Sequence, residues 1–200
     1  MTEQEFSELL ALGHEARALE FKSPGKRSDK AFLALVARAV LGMANRQDGG
    51  LVVIGVQDDG TTINPVGLNP DQLDTWTHDA AGDALAEYAD PAVEFDLERV
   101  EFQGKRMVVV RVHEFDEIPV LCKRDYPQTL RNGACYVRAR RKPETTEIPT
   151  QAEMRELIDL ATSKRLRKTL KMLRDAGVDL NSSALPGEAD LFAQQIKELL

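Results

Sequence analysis

Residues 44–60 read ANRQDGGLVVIGVQDDG, and this stretch decides the fold. Asp48, Gly49 and Gly50 form a tight turn, with both glycines read as positive-φ positions. Leu51 to Val56 is almost wholly apolar, which predicts a central strand covered on both faces. Asp58, Asp59 and Gly60 form the turn that leaves the strand. Asn45 stands at a helix end just before the first turn and reads as a structural cap or turn residue.

Upstream, Ser28 is positioned to cap a helix from Asp29 to about Arg46, with Phe32, Leu33, Val36, Val40 and Met43 at helical spacing. Ala18 to Lys22 predicts a short strand, Leu19 and Phe21 on one side and Glu20 and Lys22 on the other. Thr2 and Glu5 form a capping-box pattern opening a helix that Gly13 ends. Downstream, Leu73 to Tyr88 predicts one helix with Trp76 in the core. Val93 to Phe102 and Arg106 to Val112 predict a β-hairpin around Gly104. Val120 to Lys123 and Ala134 to Arg140 predict two further strands. Thr150 and Glu153 open a helix to about Thr162. Lys164 to Ala176 predicts a basic helix, and Glu188 to Leu200 a last amphipathic one. The expected fold is α+β: a mixed, mainly antiparallel sheet of about five or six strands flanked by helices. Residues 1–162 form that core and 163–200 a helical C-terminal appendage.

Composition narrows the function classes. The chain has 200 residues, 42% of them hydrophobic and 30% charged, as in a globular protein. No apolar run approaches the roughly 18 residues of a spanning helix, so no membrane association is expected. The acidic N-terminus does not read as a signal peptide, which makes the cytoplasm the expected location. Cys122 and Cys135 are not in a Cys-x-x-Cys pair and read as small, partly buried residues on neighbouring strands. With His14, His78 and His113 scattered, no zinc-site spacing exists. The net charge of −7 is unevenly spread: residues 119–174 hold 14 Lys and Arg against 6 Asp and Glu, leaving the remainder net −15. That asymmetry favours a phosphate-backbone surface over a uniformly solvated one.

Glu15, Glu20 and Asp58 are acidic groups beside segments that read as buried. Buried carboxylates are costly unless paired, hydrogen-bonded or bound to metal. Glu15 and Glu20 converge only if the chain bends near residues 16–18. Otherwise Glu15 is solvated and Glu20 pairs with Lys22 on the same strand face. Asp59 stands beside Asp58 as a further candidate. Two basic elements stand out. One is Lys123, Arg124, Arg131, Arg138, Arg140, Arg141 and Lys142, with Tyr126 and Tyr136 interleaved; the other is Lys164, Arg165, Arg167, Lys168, Lys171 and Arg174. No Gly-x4-Gly-Lys-Ser/Thr motif occurs, which argues against nucleotide hydrolysis.

Taken in order, Glu15-x4-Glu20-Phe21-Lys22, then Ala44-Asn45-x3-Gly49-Gly50, then Gly55-Val56-x-Asp58-Asp59-Gly60 form a frame. Pro119-Val120 with Lys123, and Tyr136-Val137-Arg138, extend it. From about Gly13 to about Leu160 the chain resembles the Schlafen AlbA-like domain. In nuclease members of that family, two glutamates and an aspartate share one metal site, and the matching positions are Glu15, Glu20 and Asp58. The resemblance thus implies a metal-dependent endoribonuclease using Mg²⁺ or Mn²⁺ on tRNA-like RNA, with Lys22 offsetting phosphate charge. After Tyr-x-Arg the family often has small residues; here Ala139, Arg140, Arg141 and Lys142 make a more basic rim. The rival expectation is a non-catalytic DNA- or RNA-binding module, such as a transcriptional regulator. A third is an interaction module in a defence assembly. Leu191, Phe192, Ile196 and Leu199 in the last helix leave room for a dimer or partner.

Overall fold

The computed structural model describes residues 1–13, 17–140 and 144–177. Glu15, Arg141, Lys142 and the helix expected over 188–200, with the dimer or partner face placed on it, lie outside the described residues. The chain divides into two compact units, Met1–Ala161 and Thr162–Leu200.

In chain order the elements are α1 (Glu3–Leu12), β1 (Leu19–Lys22), α2 (Lys30–Ala44), β2 (Gly50–Ile54), β3 (Val56–Asp58) and β4 (Ile63–Pro65). Next come α3 (Pro70–Leu73), α4 (His78–Ala86), β5 (Ala89–Asp90), β6 (Phe95–Phe102) and β7 (Lys105–Val112). They end with β8 (Leu121–Cys122), β9 (Tyr136–Arg138), β10 (Thr145–Glu147) and α5 (Gln151–Asp175). The architecture is α+β. The main sheet has four strands in the order β1-β2-β7-β6, fewer than expected. β1 runs parallel to β2 across α2, and the other pairs are antiparallel. The remaining short strands pair two by two, β3 with β4, β5 with β8 and β9 with β10.

The quoted stretch is the hinge of this arrangement. Alternate residues of β2 serve different cores, as the two-residue strand period requires. Val52 and Ile54 join Val108, Val110 and Val112 under α2. Val53 joins Leu19, Val100, Phe102, Met107 and Val109 under Phe6 and Leu9 of α1. α2 is apolar nearly all round, with Val36, Ala39, Val40, Met43 and Ala44 all buried, so it is a core helix.

Local chemistry sets the boundaries. Thr2 and Glu5 form the expected capping box. Asp29, not Ser28, caps α2: its Oδ1 accepts from Ala31 N–H and Phe32 N–H. The helix expected over 73–88 is broken. Thr77 Oγ1 accepts from Ala80 N–H to start α4 afresh, and buried Trp76 donates Nε1–H to Gly25 O at 3.0 Å. The two helices expected on either side of residue 163 are one helix, α5, because no Gly or Pro interrupts that stretch before Gly177. Gly49 has φ +63°, and a Cβ there would lie 2.0 Å from Val112 O. Gly50 does not need positive φ; it needs space, since a Cβ would lie 2.3 Å from Met43 Sδ. Asn45 is a buried clip: Nδ2 donates to Val120 O (2.8 Å) and Tyr136 O (2.9 Å), and Oδ1 accepts from Val120 N–H (2.8 Å).

Candidate carboxylate site and nucleic-acid interface

β1 sets Glu20 and Lys22 on the side opposite buried Leu19. Lys22 Nζ donates to Glu20 Oε1 at 2.5 Å. Glu20 Oε2 accepts from Arg138 Nη1 at 2.6 Å and from Thr145 Oγ1 at 2.7 Å. The Arg138 fork also donates from Nε to Arg17 O (3.0 Å) and from Nη2 to Leu19 O (2.8 Å). Arg17 Nη2 returns a bond to Arg138 O at 2.8 Å. Arg138 is 2% exposed. Burial pulls its pKa below the usual arginine value, while the Glu20 carboxylate opposes the shift. A rigid five-donor fork is the side chain best suited to satisfying a carboxylate and several carbonyls at once.

Two residues expected at a nucleic-acid surface are buried. Arg138 ties the β9–β10 pair to β1. Tyr136 is also buried, so it offers no open stacking face. Its hydroxyl accepts from Arg131 N–H at 2.9 Å, and burial raises its pKa.

Asp58 ends β3, which packs beside β1. Gly55 N–H donates to Lys22 O at 2.9 Å, so the chain leaving β2 passes the C-terminal end of β1. Asp58 is exposed, and its Oδ1 accepts from Gly60 N–H at 2.8 Å. Asp59 is taken up by its own turn. It accepts from Thr61 N–H, Thr62 N–H and Thr62 Oγ1–H, which together lower its pKa. Carboxylate oxygens are the donor chemistry for Mg²⁺ or Mn²⁺. Among the described residues no group of three His, Cys, Asp or Glu side chains is gathered for a metal, and Glu15 stands outside them.

Three basic residues of the first unit, Lys123, Arg124 and Arg131, share one loop. Cys122 N–H donates to Ala134 O and Gly133 N–H to Cys122 O, closing residues 123–132 into a hairpin tip. Lys123, Arg124 and Arg131 stand exposed at its base. Arg124 pairs with Glu87 and lies over the Tyr88 ring at 5.8 Å. Arg131 pairs through both fork arms with Glu147, lowering the Glu147 pKa. Arg140 Nε donates to Glu156 Oε2 at 2.8 Å. Sequence reasoning missed these glutamates. Arg124 and Glu87 are 37 residues apart, and no short-range spacing rule joins such a pair. In the second unit Arg165, Arg167 and Lys168 are exposed along α5, and Lys164 is half-buried. Both cysteines are free thiols, and burial pushes Cys135 up to about 11.

No helix of the described residues is long and apolar enough to cross a membrane. The family model described as Schlafen, AlbA_2 matches residues 15–147. No curated protein matches the chain. Among solved structures, the chain is similar to the DIP2311 protein of Corynebacterium diphtheriae at 16% identity and a TM-score of 0.49. That match covers 73% of this chain but 26% of the other, so this chain spans about a quarter of that protein's length. It is also similar to the N-terminal domain of a RecG-related protein of Nitrosomonas europaea, at 26% identity and a TM-score of 0.47. This second match covers 66% of this chain and 88% of that domain.

Proposed function

The chain belongs to the Schlafen, AlbA_2 family, and from that premise we propose that it binds structured RNA first and DNA second, through the hairpin tip at residues 123–132. The family supports nucleic-acid binding. The observation that carries the RNA surface is the gathering of Lys123, Arg124 and Arg131 at the base of one closed loop. The carboxylate partners of Arg124 and Arg131 are exposed, and exposed pairs are worth little, so a phosphate oxygen can displace them. Arg140 adds a further exposed cation in the first unit.

A second reading is metal-dependent phosphodiester hydrolysis, and one observation favours it. Glu20 Oε2 is committed to Arg138 and Thr145, but Oε1 meets only the Lys22 ammonium among the described residues. Glu20 Oε1 and Asp58, with Glu15, would hold Mg²⁺ or Mn²⁺. When bound, such a cation polarises a phosphate oxygen and lowers the pKa of a bound water. Lys22, once displaced from Oε1, would face the scissile phosphate, and Arg138 would hold the Glu20 carboxylate in place.

The test is fluorescence anisotropy with labelled tRNA and with duplex DNA over a salt series. The double variant Lys123→Glu, Arg124→Glu is expected to lose at least tenfold in RNA affinity and to flatten the salt slope. Wild-type affinity in the variant would sink the assignment of this surface. Incubation of the same tRNA with Mn²⁺, Mg²⁺ or EDTA tests the second reading. Fragments that need metal and vanish in Asp58→Asn support it; intact tRNA in every condition removes it.

A further inference from the structure

Among the described residues, two buried guanidinium Nε–H groups have no hydrogen-bond partner, those of Arg17 and Arg38. Arg38 projects from α2 with its guanidinium over the Tyr136 ring, 5.6 Å from the centroid. Its Nε is buried with no hydrogen-bond partner, and among the described residues no carboxylate pairs with Arg38. The contrast with Arg124, Arg131, Arg138 and Arg140 is sharp, since each of those holds a glutamate. A sheltered N–H without an acceptor is destabilising, while the rest of the half-buried Arg38 side chain reaches the surface.

Arg38 opens onto a surface groove of about 540 Å³, which it lines with Tyr126, Thr129, Arg131, Tyr136 and Glu147. Asp125 also borders the groove, but its Oδ1 accepts from Asn132 N–H at 2.8 Å. Glu147 is spent on Arg131. The groove therefore holds two guanidiniums, Arg38 and Arg131, and two carboxylates, Asp125 and Glu147; Glu147 pairs with Arg131, and among the described residues Arg38 forms no ion pair. Two guanidinium forks with an oxygen-rich anion between them is the arrangement that recognises phosphate by paired N–H···O bonds.

We propose that this groove is a phosphate-binding site: Arg38 is its fixed donor, and Arg131 is a second donor released when the anion displaces Glu147. The proposal rests on the nucleic-acid reading for the source of the phosphate, a backbone phosphodiester. A free phosphate monoester would satisfy the same donors. Tyr136 acts as a positioning residue that holds the Arg38 plane, not as a stacking platform for bases.

The experiment uses the full chain and two probes, a fluorescein-labelled RNA stem-loop and inorganic phosphate. Binding is read by anisotropy and by the arginine Nε–H resonances in ¹⁵N-correlated NMR spectra. The expected result is that the Arg38 Nε–H signal moves with both probes. Arg38→Gln should lower RNA affinity about tenfold and reduce the salt slope by about one, and Arg38→Lys should recover part of it. Glu147→Gln, which frees Arg131, should tighten binding several-fold; no misfolded variant would do so. RNA binding with an unmoved Arg38 signal and an unchanged Arg38→Gln affinity would overturn the groove and leave the nucleic-acid reading standing. Phosphate binding at Arg38 by a chain that ignores RNA would keep the groove and overturn its nucleic-acid source. Silence with both probes would overturn the proposal.

Discussion

The cluster around Glu20 and the hairpin tip around Arg131 are made of the same residue types, yet they do different work. At the cluster, Arg138 is buried and its fork is used on Glu20, Arg17 and Leu19. At the tip, Arg124 and Arg131 are exposed and each leans on one glutamate at the surface. An ion pair inside a protein cannot be released without stranding a charge in a poor solvent. A pair at the surface exchanges partners with water, salt or phosphate at little cost. The comparison teaches that the useful positive charge is set by burial, and not by how many Lys and Arg the segment holds.

Breaking the cluster should give the largest effect. Glu20→Ala strands the Arg138 cation and should cost about 3–5 kcal/mol in urea unfolding. Glu20→Gln, which keeps an acceptor, should cost clearly less. If Glu20→Ala left stability unchanged, the cluster would not be the structural tie described above. The same reasoning makes Glu20→Ala a poor probe of turnover, because lost activity would also follow from lost folding. Asp58→Asn is the cleaner probe, since it sits exposed in a turn and should shift stability by less than about 0.5 kcal/mol.

At the tip, Arg124→Ala should change stability by less than about 1 kcal/mol. It should still weaken RNA binding at all sequences alike, as a phosphate contact does. A loss of several kcal/mol in unfolding would erase the distinction between the two regions. A pH-dependent effect concerns Cys135. Burial raises its folded-state pKa from an ordinary value of 9.0 to about 11. The folded chain therefore holds that proton more tightly than the unfolded one, so this contribution is full below pH 9 and is lost as pH rises towards 11. Cys135→Ala should flatten the alkaline fall of an unfolding curve measured over that window.

Much of the fold was legible because its signals are local. The GLVVI strand, the Gly49 turn, the Thr2 capping box and the Phe95–Val112 hairpin each follow from neighbouring residues, and each stands close to where the spacing puts it. The boundary errors are local too: Asp29 outcompeted Ser28 as a cap, and Thr77 restarted a helix that apolar spacing alone had joined. The site was legible only in part. Lys22 with Glu20 was readable as two residues on one strand face, while Arg138 with Glu20 joins positions 118 residues apart.

By itself the sequence determined the layered α+β frame, because propensity, capping and two-residue or helical periodicity act within one element. It also determined the family, through the order of its acidic, glycine-rich and Tyr-Val-Arg segments. Tertiary structure alone decided which cations are spent inside the fold and which face solvent. The reason is physical: a charge's worth depends on its solvation and its nearest partner, and both are set by chain segments that meet only on folding.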